Sequence, residues 1–348
     1  MQDLKTYKKH FDRELAAFFV QRLKVYQKLA VGTSIPPYID HARTIALSGG
    51  KRVRPYIAQL SYETFGGKQD SAIREVGMGL ELLHLFALAH DDVIDRGKTR
   101  HGVVTTQEYV QAVLRRAKRR GDLTHIAEGQ AVLVGDLLFM WAEELVAGTG
   151  MPNPERVLAR VAFREMVDEV IVGEMLDVDL STHRSMSLQL IKQKHILKTA
   201  RYSFVGPIRV GARLATGTAK HDAFARKFGE AVGLAFQIQD DVLDIMGGAG
   251  KTAQGDVRDG QHTYVTAFML TQARPVYARE FKKYFGKSDI PAARVRQLCL
   301  DAGAIAYASS EASALFAESR RVLQKANLSA KSEREWLSLV DLIEHRAQ

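Results

Sequence analysis

The chain has 348 residues, 46% hydrophobic and 26% charged, with 49 Lys and Arg against 40 Asp and Glu, for a formal net charge of +9. This is an ordinary globular balance for one large domain or two smaller ones. A single cysteine, Cys299, excludes a disulfide framework and a thiolate zinc site within the chain, and fits a reducing cytoplasm.

The first residues, MQDLKTYKKHFDREL, are charged and lack an apolar core, so no signal peptide is expected. From there helical periodicity dominates, and alternating strand patterns with hairpin signals are almost missing. Apolar stripes of helical spacing cover 7–30, 37–47, 52–65, 70–95, 104–118, 128–147 and 154–179 in the first half. They continue over 187–199, 201–215, 219–246, 259–284, 291–303, 305–325 and 330–346. Prolines at 36–37, 152, 154 and 291 mark helix starts or linkers, and glycines at 49–50, 66–67, 148–150 and 247–250 punctuate the stripes. The most apolar tract, AVLVGDLLFMWAEELVAG (131–148), is broken by Asp136, Glu143 and Glu144 and reads as a buried helix, so no membrane span is expected. The pattern predicts an all-α chain, one domain over 1–348.

The basic excess suits nucleic acid, an acidic membrane surface or polyanionic small substrates. Its one dense run, RRAKRR (115–120), has no interleaved aromatic residue on which a base would stack, so nucleic acid is not expected as a partner.

Chemistry concentrates in the carboxylates. LAHDDVIDRGKTRHG (88–102) carries Asp91, Asp92 and Asp95, with Asp91 and Asp95 one helical turn apart and His84 two turns before Asp91. One such triad is commonly a solvated helix end. Here FQIQDDVLD (236–244) repeats it as Asp240, Asp241 and Asp244, with Gln237 one turn ahead. Like charges at this spacing destabilise a helix unless a cation lies between them. Oxygen ligands without thiolate point to Mg²⁺, which bridges carboxylates to substrate phosphates. If the two helices face each other, six carboxylates ring one cavity. Cations for the remaining phosphate charge stand nearby in GGKRVRP (49–55), TRHG (99–102), KTARYS (198–203) and GKTAQGDVRDG (250–260).

GGKRVRP, ELLHLFALAHDDVID, KTARYSF, FQIQDDVLD and GK…GDVRDG follow the order and spacing of the trans-isoprenyl diphosphate synthases, or polyprenyl synthetases, of the geranylgeranyl and farnesyl type. The chain resembles that family from about residue 40 to its last helix. The resemblance implies a single large helical bundle around a deep central cavity, a cytoplasmic homodimer, and about three Mg²⁺ ions per site. It implies condensation of isopentenyl diphosphate with an allylic diphosphate. Asp91, Asp95 and Asp240 would hold the metal, with Asp92, Asp241 and Asp244 completing the metal site. Arg100, Lys198, Thr199, Gln237 and Lys251 would hold the allylic diphosphate, Lys198 and Gln237 acting in catalysis with the aspartates. Lys51, Arg54, His84 and His101 would take isopentenyl diphosphate. Phe86 and Ala87, five and four residues before the first aspartate, would set product length, in the pattern of C20 with C15 next.

Three departures from the family pattern reduce positive charge. His101 stands where arginine is usual, Gln261 where lysine is common, and Glu174 in GEMLD where glutamine is frequent. They point to an altered substrate preference, with a weakly active or non-catalytic subunit of a heteromeric synthase as the alternative reading. A class I terpene cyclase fits less well, because it normally lacks the second aspartate triad and GGKRxRP. Residues 108–128 are expected to be a surface insertion.

Overall fold

The computed structural model describes residues 4–68, 71–148, 153–247 and 254–345. Its contacts divide into two compact units, one of 1–59 with 68–157 and one of 60–67 with 158–348. Both are helical, as the periodicity predicts.

The first unit holds α1 (Leu4–Leu29), α2 (Ile35–Ser48), most of α3 (Val53–Thr64) and α4 (Ser71–Ile94). A hairpin of β1 (Thr99–Arg100) and β2 (Val103–Val104) follows, then α5 (Thr106–Arg116), α6 (Leu123–Ala147) and the start of α7 (Pro154–Ser181). Its centre is α4 laid along α6. Two glycines make this approach possible: a Cβ at Gly79 would stand 2.9 Å from the Ala142 carbonyl, and one at Gly135 would stand 2.4 Å from the His90 ring. Leu80, Leu82, Leu83, Leu138 and Ala142 are fully buried here. The α6 start lies five residues earlier than its apolar stripe, because Asp122 caps it by accepting the N–H groups of Thr124 and His125 at 3.1 Å. Residues 108–128 are thus α5, a turn and the head of α6, and 115–122 are all exposed.

The second unit contains most of α7, then α8 (Leu188–His195), a π-helix (Ile196–Val205) and α9 (Gly206–Thr216). It continues with α10 (Asp222–Met246), α11 (Gly255–Arg258), α12 (Tyr264–Thr271), α13 (Pro275–Phe281), α14 (Ala292–Asp301), α15 (Ala304–Lys325) and α16 (Ala330–Glu344). The helix predicted over 259–284 is two short helices, because Pro275 lacks the N–H an unbroken helix needs and starts α13 instead. The π-helix spans the point where the stripes over 187–199 and 201–215 meet, and its wider turn breaks the 3.6-residue repeat there. It crosses α10 at close range. Cβ atoms at Gly229 and Gly233 would meet the Val205 and Ala200 backbone at 2.8 and 2.5 Å, so these positions admit only glycine without a shift.

Candidate active site

In the first unit, α4 delivers the first triad at its C-terminus. The helix closes with Gly97 N–H donating to the Asp92 carbonyl at 2.8 Å and Arg96 N–H to that of Val93 at 3.3 Å, Arg96 taking a left-handed φ of 54°. Asp95 lies one residue past the helix, yet its N–H still donates to Asp91 O at 2.8 Å, so the one-turn relation holds. Gln107 Nε2 donates to the carbonyls of Asp92 and Gly97, both at 2.8 Å, tying α5 to this end. The hairpin then returns Arg100 to the triad. Its two-residue loop, His101–Gly102, has φ of 51° and 78°, the paired positive values of a type I′ turn. His41 anchors the hairpin, with Nε2 2.9 Å from Val104 O and its ring stacked on Tyr109 at 4.0 Å.

Arg100 Nη2 and Nε donate to Asp92 Oδ1 at 2.5 and 3.1 Å, and Nη2 reaches Asp91 Oδ2 at 3.2 Å. Asp92 is buried, at 4% exposure, and that burial raises its pKa against the pull of Arg100. Asp91 is partly exposed and Asp95 exposed. The triad therefore has one aspartate locked inward and two outward.

GGKRVRP divides its cations in the same way. Lys51 is exposed and Arg54 partly so. Arg52 is 3% exposed and structural: Nε donates to Asp12 at 2.7 Å, Nη1 to Glu81 at 2.5 Å, and Nη2 to the Ala46 carbonyl. A Cβ at Gly49 would strike the His101 ring at 2.7 Å, which places the loop glycine directly against that histidine. Burial holds His84 well below its usual pKa, and the charges of Arg54, Arg100, Arg52 and His101 push in the same direction. These basic side chains lie near enough to disfavour a proton on His84, although Arg52 and Arg100 are themselves paired with carboxylates. Phe86 and Ala87 are both half-buried on α4. The Phe86 ring lies 4.5 Å from that of His90 and 5.2 Å from that of Phe139 on α6.

In the second unit, α10 delivers the second triad. Asp241, 2% exposed, accepts Tyr264 N–H at 2.7 Å and Gln237 Nε2 at 3.0 Å, with His195 Nε2 at 2.9 Å. Burial works to raise its pKa, but the His195 charge and these hydrogen bonds bring it down. Asp244, 7% exposed, caps α11 by accepting the N–H groups of Gly255 and Asp256 at 3.1 and 3.3 Å. Asp240 is partly exposed. Thr199 Oγ1 donates to Gln237 Oε1 at 2.9 Å, so Thr199, Gln237 and Asp241 form one hydrogen-bonded line. Phe236 meets Phe204 edge-on at 5.8 Å. Lys198 Nζ stands 2.6 Å from Asp177 and 2.8 Å from Glu174. Lys251 lies outside the described residues.

The donor set fits Mg²⁺. Asp91 and Asp95 in the first unit, and Asp240 in the second, could each offer it hard carboxylate oxygens from a partly or fully exposed side chain. Mg²⁺ is commonly bound that way, through one or two carboxylates with substrate phosphates and water completing its shell.

The family model for polyprenyl synthetase matches residues 36–301. The chain belongs to the polyprenyl synthetase family. Its relatives include a chloroplastic geranylgeranyl pyrophosphate synthase from Capsicum annuum, 30% identical over 249 residues, or 68% of this chain and 63% of that protein. A geranylfarnesyl diphosphate synthase from Aeropyrum pernix is 27% identical over 312 residues, covering 84% of this chain and 89% of the relative. The structure is similar to that of a geranylgeranyl pyrophosphate synthase from Corynebacterium glutamicum, solved with isoprenyl diphosphate and magnesium. That likeness has a TM-score of 0.88 and 28% identity, over 97% of this chain and 98% of the other.

As a polyprenyl synthetase, the protein is a transferase of prenyl groups with the all-α fold of its relatives. Two residues outside the predicted set join the candidate site through ion pairs: Asp177, which pairs with Lys198, and Lys194, which pairs with Asp177. The signal for both is spacing, since Asp177 follows Glu174 by three and Lys194 precedes Lys198 by four, each pair sharing a helix face.

Proposed function

We propose that this polyprenyl synthetase condenses isopentenyl diphosphate with an allylic diphosphate, head to tail and trans, to give mainly a C20 product with C15 next. The observation that carries the reading is a shared asymmetry. In both triads the second aspartate is buried and fixed by protein groups, while the first is partly exposed. Asp91, Asp95 and Asp240 are the proposed Mg²⁺ ligands; Asp92, Asp241 and Asp244 shape the metal site from behind. When bound, about three Mg²⁺ ions neutralise the diphosphate and make it a better leaving group.

The chain's own residues do the rest. Arg100, Lys198, Thr199, Gln237 and Lys251 hold the allylic diphosphate as charge develops on it. Lys51, Arg54, His84 and His101 take isopentenyl diphosphate. The allylic C–O bond breaks with its electron pair on the diphosphate, and the isopentenyl double bond attacks the allylic carbon. Loss of a proton restores a double bond in a chain five carbons longer. The Phe236 face and the Gln237 amide dipole stabilise the cationic carbon, and the hydrocarbon lies along α4 toward Phe86 and Ala87. Asp91→Asn and Asp240→Asn test the assignment: each is expected to lower the Mg²⁺-dependent elongation rate by about a hundred-fold or more, and an unaffected rate contradicts it.

A homodimer is the proposed assembly. Ile126, Leu133 and Met140 recur every seven residues along α6 and are 38%, 60% and 59% exposed; Val172 and Met175 on α7 are likewise exposed. Exposed apolar side chains at that spacing suit a helix of a second copy. Light scattering should give twice the 38.7 kDa chain mass, and a monomer contradicts the assembly. No helix among the described residues is long and apolar enough to cross a membrane. Cytoplasmic location is proposed, in keeping with Cys299 as a free, buried thiol.

A further inference from the structure

Lys198 belongs to a quartet that the motif alone does not reveal. On α7, Glu174 and Asp177 lie one turn apart. Gly173 lets the π-helix backbone touch α7 there, since a Cβ would stand 2.6 Å from Lys198 N. Lys198 Nζ accordingly reaches both carboxylates, Asp177 Oδ2 at 2.6 Å and Glu174 Oε2 at 2.8 Å. The other Asp177 oxygen is occupied: Lys194 Nζ, 4% exposed, donates to Asp177 Oδ1 at 2.7 Å and to the His262 carbonyl at 2.6 Å. Two carboxylates and two ammoniums sum to zero charge.

The four members are not equivalent. Lys194 and Asp177 side chains are 5% and 16% exposed, whereas Lys198 and Glu174 are 27% and 25% exposed. The inner pair is fixed by burial and by a backbone carbonyl, and the outer pair is the one solvent and a ligand can reach. An incoming diphosphate must share Lys198 with Glu174, and with glutamate in place the quartet offers it no net positive charge. With an amide at 174 the same quartet would carry a charge of one.

We propose that Glu174 is an internal competitor for Lys198 that sets the affinity of this enzyme for its allylic diphosphate, with Lys194 as the positioning residue that keeps Asp177 in its inner pair. The inference rests on the proposed role of Lys198. It gives a physical consequence to glutamate at a position where glutamine is frequent in the family.

The test is Glu174→Gln, with Glu174→Asp as the variant that keeps the charge. Two readouts are needed: steady-state kinetics with geranyl diphosphate and isopentenyl diphosphate, and calorimetric binding of inorganic pyrophosphate with Mg²⁺. Glu174→Gln is expected to lower KM for geranyl diphosphate and Kd for pyrophosphate by about five-fold, the worth of a partly exposed ion pair. KM for isopentenyl diphosphate should be unchanged, and Glu174→Asp should stay near the native values. Unchanged pyrophosphate binding in Glu174→Gln overturns the proposal, as does an equal shift in both KM values. Pyrophosphate binding is read without turnover, so a protein that fails to elongate defeats the functional reading while the competition between Glu174 and phosphate is still measured.

Discussion

Individual side chains in this enzyme divide into those fixed by buried protein partners and those left accessible, and neighbours in one motif differ in this way. Arg52 is buried between Asp12 and Glu81, whereas Lys51 beside it is exposed. Asp177 is the clearest case for electrostatics. Burial works to raise its pKa, but Lys194 and Lys198 bring it from the usual 3.8 to about 2. A carboxylate with a depressed pKa contributes stability that is complete above its unfolded value and is lost as pH falls toward the folded one. Asp177→Asn should therefore lower the urea midpoint at pH 7, and the gap to the native protein should narrow below about pH 4 and close near pH 2. A gap that persists at pH 2 would mean the aspartate acts through packing. His101 is the other informative residue. Burial, then Arg100 and Arg52, lower its pKa, so at neutral pH it adds little charge near His84. His101→Arg should lower KM for isopentenyl diphosphate without changing that for the allylic substrate; an unmoved KM would remove position 101 from that subsite.

The functional side chains owe their places to helix contacts made close by glycine. Gly135 leaves space for His90, Gly173 for the π-helix backbone at Lys198, and Gly229 with Gly233 for the crossing of α10. Much of this layer is legible in the sequence. The apolar stripes locate every long helix, since a 3.6-residue repeat over many turns has few other solutions. Shorter features are less so. The π-helix shows in the sequence only as a gap between two stripes at residue 200, and the stripe over 259–284 hid the break at Pro275 because apolar residues continue on both sides of it. Arg52 could not be told from Lys51 and Arg54 by type, because burial is decided by partners on α1 and α4 far away in the chain. Phe86 illustrates the same limit: it lies off the Asp91 face on a helical wheel, and its ring packs against His90 and Phe139. If that ring limits the hydrocarbon, Phe86→Ala will lengthen the product, as read by chromatography of the released alcohols. An unchanged distribution would make Phe86 ordinary packing between α4 and α6.

For the molecule as a whole, charge and fold have a common explanation. The net charge of +9 coexists with two aspartate triads, and diphosphate substrates call for an excess of Lys and Arg wherever they bind. The departures at His101, Gln261 and Glu174 each remove positive charge or add negative charge, while both aspartate triads are intact. A working synthase with tuned substrate affinity is therefore expected. The most direct measurement incubates the purified protein with Mg²⁺, isopentenyl diphosphate and C5, C10 or C15 allylic diphosphates in turn, and sizes the products by mass. Elongation that depends on Mg²⁺ and ends mainly at C20 is the predicted result. No elongation from any of the three starters would contradict the account.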